Sequence, residues 1–191
     1  MKVALAGRNT ARLEGFPIGD PSWQRWGLAL DVNLGPHCDV LFEIHRHYWP
    51  PGAVKVMLDP DFNRPVYLDE AHPQIPTSIR YPIEDVQREV TDYLESSIAY
   101  MMALAIYQGA DTIGLWGISM NGTGEYGYQR PNMEYMIGLA EGRGIKVLQG
   151  NDGQRQRPFK LSYWGDDGRY GLAKKHDIQD VAVTEMMEIP K

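Results

Sequence analysis

Two imidazoles and a carboxylate follow one of the short apolar runs of this 191-residue chain. Glu43, His45 and His47 lie at and just beyond the end of the run Asp39–Ile44. Histidine is the usual general base near neutral pH. The spacing of these residues matches none of the common metal-binding patterns. We therefore expect Glu43 and His45 to contact a ligand or to do acid/base chemistry, and His47 to be solvated.

A glycine turn follows the first apolar run, Lys2–Ala6. Gly7 would let backbone N–H groups approach a ligand, and Asn9 and Thr10 can hydrogen-bond a ribose, a base or a phosphate. Arg8 can neutralise phosphate charge. The turn matches neither the classical dinucleotide motif nor a P-loop. The alternative is a tight turn in which Asn9 or Thr10 caps the next element.

A pair of serines, Ser96 and Ser97, lies near the start of the strongest helical pattern of the chain, Asp92–Gln108. Buried polar side chains need partners. A ligand held at the first turns of this helix would supply them, with help from the helix dipole. The alternative is that the hydroxyl groups bond to carbonyls of the preceding turn.

A long glycine-rich loop, Gly117–Arg130, follows a predicted central strand. Tyr126 can stack on a base, Glu125 can act as an acid or base, and Arg130 can bind phosphate. Loops of this length are uncommon unless they have a function. We expect the loop to close over a ligand, with its hinge before Pro131; the alternative is a loop that packs permanently or stays solvated.

These residues need elements that place them, and the apolar pattern predicts such elements. The predicted strands are Lys2–Ala6, Trp26–Leu30, Asp39–Ile44, Val54–Leu58, Pro65–Leu68, Thr112–Trp116 and Ile145–Leu148. The predicted helices are Glu84–Val90, Asp92–Gln108 and Pro131–Glu141. Short continuous apolar runs are typical of strands buried on both faces, and their alternation with helices is typical of a parallel sheet.

The pattern predicts an α/β fold, a Rossmann-like, mainly parallel sheet flanked by helices. Residues 1–150 would form this domain, and residues 151–191 a less regular C-terminal extension, either an edge strand or an arm. Parallel strands end on one edge of the sheet. We therefore expect Gly7, His45, Ser97 and Gly117 to line one concavity.

Composition excludes several classes of protein. Hydrophobic residues make up 43% and charged residues 23%, as in ordinary globular domains. A net charge of -6 disfavours binding to nucleic acid phosphates. The one cysteine excludes an intrachain disulfide and a thiolate metal cage, and no stretch approaches a membrane span. We expect a cytoplasmic protein (host cytoplasm if phage-encoded) with no membrane partner, and self-association stays open.

Several stretches occur in a familiar order: GRNTARL after the first strand, then DVLFEIH, then SSIAYMMALAIYQGADTIGLWGISM and EYGYQRPNMEYMIGLAEGRGI. This order resembles the Rossmann-like family of Campylobacter-type sialyltransferases, with the related MptE-like diphosphokinases and motility-accessory proteins, in a short form like that of phage relatives. The resemblance runs from Lys2 to Leu148 and is weaker between Trp49 and Tyr81. Its most specific part is Ser96–Met120.

The resemblance implies a cytidine-type nucleotide among matching positions of this chain. In the family, the first turn, the helix serine and the loop after the central strand surround the nucleotide. The matching residues here are Gly7, Asn9, Ser96, Ser97, Gly117, Ile118 and Ser119. The resemblance implies nucleotide binding and names no particular reaction.

The leading hypothesis is a nucleotide-binding transferase that acts on a nucleoside phosphate or a nucleotide sugar, with glycosyl- or phosphoryl-type transfer. Glu43, His45 and Glu125 are its acid/base candidates. No tightly bound cofactor is implied, and a divalent metal stays open. One alternative is a non-catalytic structural or interaction protein of a phage on the same fold. Another is a metal-dependent nucleotide hydrolase.

Overall fold

The computed structural model describes residues 1–8, 13–31, 34–45, 49–118 and 126–149, with the backbone alone at Tyr126 and Gln149. Seven strands and four helices lie in these ranges. The strands are β1 (Lys2–Ala6), β2 (Trp23–Leu28), β3 (Val40–Glu43), β4 (Val66–Leu68), β5 (Ser78–Arg80), β6 (Thr112–Trp116) and β7 (Lys146–Gln149). The helices are α1 (Pro51–Met57), α2 (Ile83–Glu89), α3 (Ser97–Tyr107) and α4 (Tyr126–Gly142).

The strands form one parallel sheet in the order β5-β4-β3-β2-β1-β6-β7. The chain adds β2 to β5 on one side of β1 and then returns through α2 and α3 to place β6 on the other side. Lys2 accordingly pairs with Trp23 on one side and with Thr112 on the other. This arrangement confirms the predicted Rossmann-like α/β fold with a parallel sheet.

Apolar side chains cover both faces of the sheet. On one face lie α2, α3 and α4, and α3 is buried nearly all round from Ile98 to Ile106, as its sequence predicts. The other face packs against α1 and the loop residues Phe16, Leu34 and Ile75. None of the helices in the described ranges has the length and apolarity to cross a bilayer.

The predicted strand Val54–Leu58 is wrong, because this segment lies in α1. The run contains too few residues to distinguish a period of two from a period of 3.6. Pro51 stands at the first helical position, where its fixed φ favours a helix and its missing N–H costs nothing. Ala53 and Met57 then face the core one helical turn apart.

Two predicted helix starts are also wrong. The helix expected from Asp92 begins at Ser97, because Ser96 is extended and caps the first turn. The helix expected from Pro131 begins at Tyr126, so Pro131 lies inside α4 and the hinge expected just before it is helical. Because Pro131 has no backbone N–H, α4 lacks one backbone hydrogen bond near the start of its 17 residues.

Strand bounds differ less from the expectation. The strand predicted at Trp26–Leu30 is β2, which starts three residues earlier. The prediction missed its first half because Gln24 and Arg25 are polar. The short edge strand β5 was not predicted, since its three residues carry one apolar side chain. The C-terminal extension predicted for residues 151–191 lies outside the described residues.

The carboxyl ends of β1 and β6 are in direct backbone contact through two glycines. The Gly7 N–H donates to the Trp116 carbonyl at 2.8 Å. A Cβ atom added to Gly7 would lie 2.6 Å from the Gly117 carbonyl oxygen, and one added to Gly117 would lie 2.5 Å from the Gly7 oxygen. Gly117 also has a φ of 66°, a conformation that other residues rarely adopt. This approach of the two strands therefore requires glycine at both positions.

We predict that Gly117→Ala lowers the free energy of unfolding by more than the cost of the left-handed φ alone, which is about 1–2 kcal/mol. The added methyl group would also overlap the Gly7 carbonyl. For a domain of this size each kcal/mol lowers Tm by roughly 2–4 °C, which circular dichroism melting detects. The matched control is Gly138→Ala in α4, where the added atom meets nothing within 4 Å. Equal melting temperatures for Gly117→Ala and the wild type would contradict the prediction.

Candidate active site

The strand order creates a topological switch point between β1 and β6. The chain leaves β1 for its neighbour β2 and leaves β6 for its neighbour β7, so the two connections run in opposite directions along the strand order. In open α/β sheets, ligands bind in the crevice outside the carboxyl ends of the strands at such a point. Gly7 and Arg8 follow β1 there, and Gly117 and Ile118 follow β6. Arg8 is exposed, whereas the other three residues are buried.

A buried carboxylate ends β3 at the same edge of the sheet. The Glu43 side chain is 1% exposed and lies beside Leu68, its partner on β4. Its Oε1 atom accepts hydrogen bonds from the Nδ1 atom of His45 and from the His45 backbone N–H, the latter at 3.2 Å. Its Oε2 atom has no hydrogen-bond partner within the described part of the chain. Because an unpaired buried polar atom is costly, Glu43 is a candidate for a ligand contact.

The contact with Glu43 orients the imidazole of His45. An ionised carboxylate only accepts hydrogen bonds, so with Glu43 ionised the Nδ1 atom of His45 carries the proton. The Nε2 atom then has a free lone pair. The His45 side chain is 54% exposed, so that lone pair is accessible. A carboxylate, an imidazole and an accessible nitrogen are the parts of a general base.

The residues predicted to share one concavity lie towards opposite faces of the sheet. Glu43 lies two residues after Leu41 and so points to the face that packs against α1. Ser97 begins α3, which packs on the opposite face. Gly7 and Gly117 lie between the two at the carboxyl edge. The structure therefore brings these residues to one edge, and their joint contact with one ligand stays a prediction.

Ser96 has a local structural role in addition to any ligand contact. The Ser96 Oγ atom accepts a hydrogen bond from the Ala99 N–H at 3.2 Å and so caps α3. A serine N-cap stabilises a helix by about 1 kcal/mol. Ser97 is the first helical residue and is half-buried. The Ser96 side chain thus accepts a hydrogen bond from a helix N–H that would otherwise lack a partner.

The glycine-rich loop is described at its two ends. Its last part, from Tyr126 to Arg130, forms the first turn of α4. The Nε atom of Arg130 lies 3.8 Å from the Oε1 atom of Glu134, four residues further along this helix. The predicted site residues Asn9, Thr10, Ser119 and Glu125, the side chain of Tyr126, and His47 lie outside the described residues.

One buried polar residue at this edge was missed by the sequence analysis. Asn132 in α4 is fully buried. Its Oδ1 atom accepts from the Glu95 N–H at 3.0 Å, and its Nδ2 atom donates to the Tyr93 carbonyl at 2.7 Å. Asn132 therefore holds the irregular segment that leads into α3. Its spacing of four residues from the buried Met136 is the signal that identifies it as inward-facing.

One concavity formed by described residues lies away from the switch point. It occupies about 390 Å³ near Arg25, His37 and Arg64, at the amino ends of β2 and β3. It is therefore on the edge opposite to the switch point. The loops that would border a cleft at the carboxyl edge fall largely outside the described residues, so the sheet topology is the better guide to the ligand position. No group of three or more metal-ligating side chains occurs in the described ranges.

Comparison with known proteins identifies the fold. No family model matches the sequence, and no curated protein matches it. The sialyltransferase CstII from Campylobacter jejuni, in complex with the substrate analogue cytidine-5'-monophosphate, is similar with a TM-score of 0.52 and 13% identity, over 78% of this chain and 79% of that chain. A point mutant of the α-2,3/8-sialyltransferase CstII gives a TM-score of 0.53 and 14% identity, over 78% and 81%.

The TM-scores over about four fifths of each chain show a shared fold, and at 13–14% identity they show the fold alone. The expected structural relationship to sialyltransferases is thereby confirmed at the level of the fold. The kinship with MptE-like, motility-accessory and phage proteins stays a prediction.

We predict that Asn132→Ala destabilises the protein, because it removes both hydrogen bonds of the buried Asn132 side chain, to the Glu95 N–H and to the Tyr93 carbonyl. Each such hydrogen bond contributes about 0.5–1.5 kcal/mol net. Hydrogen exchange at the Glu95 amide should accelerate together with the loss of Tm. Asn132→Asp is the matched variant, since its carboxylate can still accept from Glu95. An unchanged exchange rate at Glu95 in Asn132→Ala would contradict this role.

Proposed function

We propose that this protein is a nucleotide-binding transferase whose substrate is a nucleoside phosphate or a nucleotide sugar. The observation that carries the proposal is the pair of glycines at the switch point, where the backbones of Gly7 and Gly117 meet at the carboxyl edge of a parallel sheet. Glycine at the end of a strand lets the backbone approach a ligand closely. Nucleotides commonly occupy this position in open α/β folds.

In the proposed complex, the phosphate lies near the turn after β1. The exposed Arg8 supplies positive charge there. Asn9 and Thr10 bind the ribose or the phosphate. Tyr126 stacks on the base at the start of α4, and Ser119 approaches from the loop after β6. Arg130, which lies near Glu134, is a second candidate for the phosphate.

The transfer step would use the Glu43–His45 pair. The Nε2 atom of His45 takes the proton from an acceptor hydroxyl as its oxygen attacks the transferred group. The bond from that group to the leaving phosphate oxygen breaks, and the nucleotide leaves with the electron pair. Glu43 holds the imidazole through Nδ1, and its Oε2 atom can accept a hydrogen bond from the acceptor. Glu125 is a further candidate for acid/base chemistry.

The choice of nucleotide follows from the fold relationship. The similar sialyltransferase structure contains cytidine-5'-monophosphate. We therefore propose a cytidine nucleotide as the first ligand to test. A turnover assay then distinguishes transfer of a sialic acid, another sugar or a phosphoryl group. The assay is run with and without Mg²⁺, so that it also detects a metal-dependent hydrolase.

We predict that cytidine-5'-monophosphate raises Tm. At a concentration a hundred times Kd, binding stabilises the folded protein by about 2.7 kcal/mol, or roughly 5–11 °C for a domain of this size. Arg8→Gln should weaken binding of the monophosphate but leave binding of cytidine unchanged, because the arginine is proposed to contact the phosphate. Arg88→Gln, which removes an exposed arginine on α2, is the matched control.

Turnover separates an enzyme from a binding protein in the same experiment. His45→Gln should retain the Tm response to cytidine-5'-monophosphate and lose about 10²–10⁴-fold in release of this nucleotide from a cytidine monophosphate-linked sugar. A Tm response without turnover in the wild type would favour the non-catalytic alternative. No Tm response to any nucleoside monophosphate would contradict the proposed function.

A further inference from the structure

A concavity lies on the edge of the sheet opposite to the switch point. It has a volume of about 390 Å³ and is lined by three basic side chains, Arg25, His37 and Arg64. Arg25 is in β2, His37 ends a short 3₁₀ turn before β3, and Arg64 lies just before β4. Pockets for small ligands begin at roughly this size. No residue of the proposed nucleotide site contributes to it.

Arg25 is held in place by a bidentate ion pair. Its Nε atom donates to Asp39 Oδ2 at 3.0 Å, and its Nη2 atom donates to Asp39 Oδ1 at 2.6 Å. Burial of Asp39 opposes its ionisation, but the hydrogen bonds from Arg25 dominate and hold the pKa of this carboxyl below its usual value. The pair fixes the guanidinium against β3.

Arg64 is fixed without a carboxylate. Its Nη1 atom donates to the carbonyl oxygens of Gly35 and Cys38, the latter at 3.3 Å. The guanidinium also lies 5.6 Å from the centre of the Phe62 ring. No carboxylate among the residues that the structure describes pairs with Arg64. Neutral groups therefore set its orientation, and within the described ranges no ion pair offsets its positive charge.

The lining of this concavity is positive. Two guanidinium groups and one carboxylate, Asp39, line it, which leaves a net charge of about +1 with His37 counted as neutral. Burial raises the pKa of the Cys38 thiol to about 12, so the thiol adds no negative charge at neutral pH. This positive site belongs to a chain whose net charge is -6. Fixed guanidinium groups recognise oxyanions well, because their N–H groups match the geometry of phosphate.

We propose that the concavity around Arg25, His37 and Arg64 is a binding site for the phosphate group of a small phosphomonoester. The phosphate contacts Arg64 and the Nη1 atom of Arg25, and the exposed His37 approaches it from the rim. Ile18 and Pro36 line the remaining wall and contact the body of the ligand. The site is separate from the proposed nucleotide site, so each can fail without the other.

Titrations followed by amide chemical shifts test this proposal. The probes are inorganic phosphate, ribose 5-phosphate and, as the neutral control, ribose, all at constant ionic strength. We expect saturable shifts for the amides of Gly19, His37 and Arg64 with both phosphates and none with ribose. Tighter binding of ribose 5-phosphate than of phosphate would support a phosphomonoester, and equal affinity would overturn that part of the proposal.

Variants establish which groups bind the anion. Arg64→Gln removes a charge, and His37→Glu places a negative charge at the rim without touching the contacts of Arg64. Each should weaken phosphate binding by at least about tenfold. Lys55→Gln, a charge loss on the exposed side of α1, should leave binding unchanged. Shifts confined to the carboxyl edge, or equal affinities in all variants, would overturn the proposal.

Discussion

The close approach of β1 and β6 is the constraint on which the rest of this structure depends. After β5 at one edge of the sheet, the chain returns over one face through α2 and α3 before β6 can pair with β1. The approach ends in a contact between the backbones of Gly7 and Gly117, which leaves no room for a Cβ atom on either residue. The same contact places two glycines, the first residues of two turns, at the switch point. Stability and the position of the proposed ligand site therefore depend on the same pair of residues.

The sequence predicts the buried parts of this fold well and its boundaries less well. The runs that became β1, β3 and β6 have continuous apolar residues, because both faces of the sheet are covered. The burial of α3 follows equally from its composition. Local patterns did not predict α1, where a few valines fit a strand or a helix and where packing of Ala53 and Met57 decides the outcome. They also placed the start of α4 too late, because proline is favourable in a first turn, whereas α4 continues through Pro131 at the cost of a backbone hydrogen bond.

The candidate site was accessible to sequence reasoning only in part. Glycine turns after apolar runs identified Gly7 and Gly117, and polar residues after a strand identified Glu43 and His45. The hydrogen bond between Glu43 and His45 follows from their positions two residues apart at the end of a strand, but the unpaired Oε2 atom depends on surrounding packing. Asn132 was missed because its partners, Tyr93 and Glu95, are far away in the sequence. The pairing of Arg25 with Asp39 also could not be predicted, because it depends on the register between β2 and β3.

The proposed nucleotide site lies at the carboxyl edge of the sheet, between β1 and β6. The decisive experiment is a crystal structure of the protein with cytidine-5'-monophosphate, at a concentration that saturates its effect on Tm. We expect the nucleotide against the backbones of Gly7 and Gly117, with its phosphate within hydrogen-bond distance of Arg8. A nucleotide bound only at the amino edge, beside Arg25 and Arg64, would contradict it.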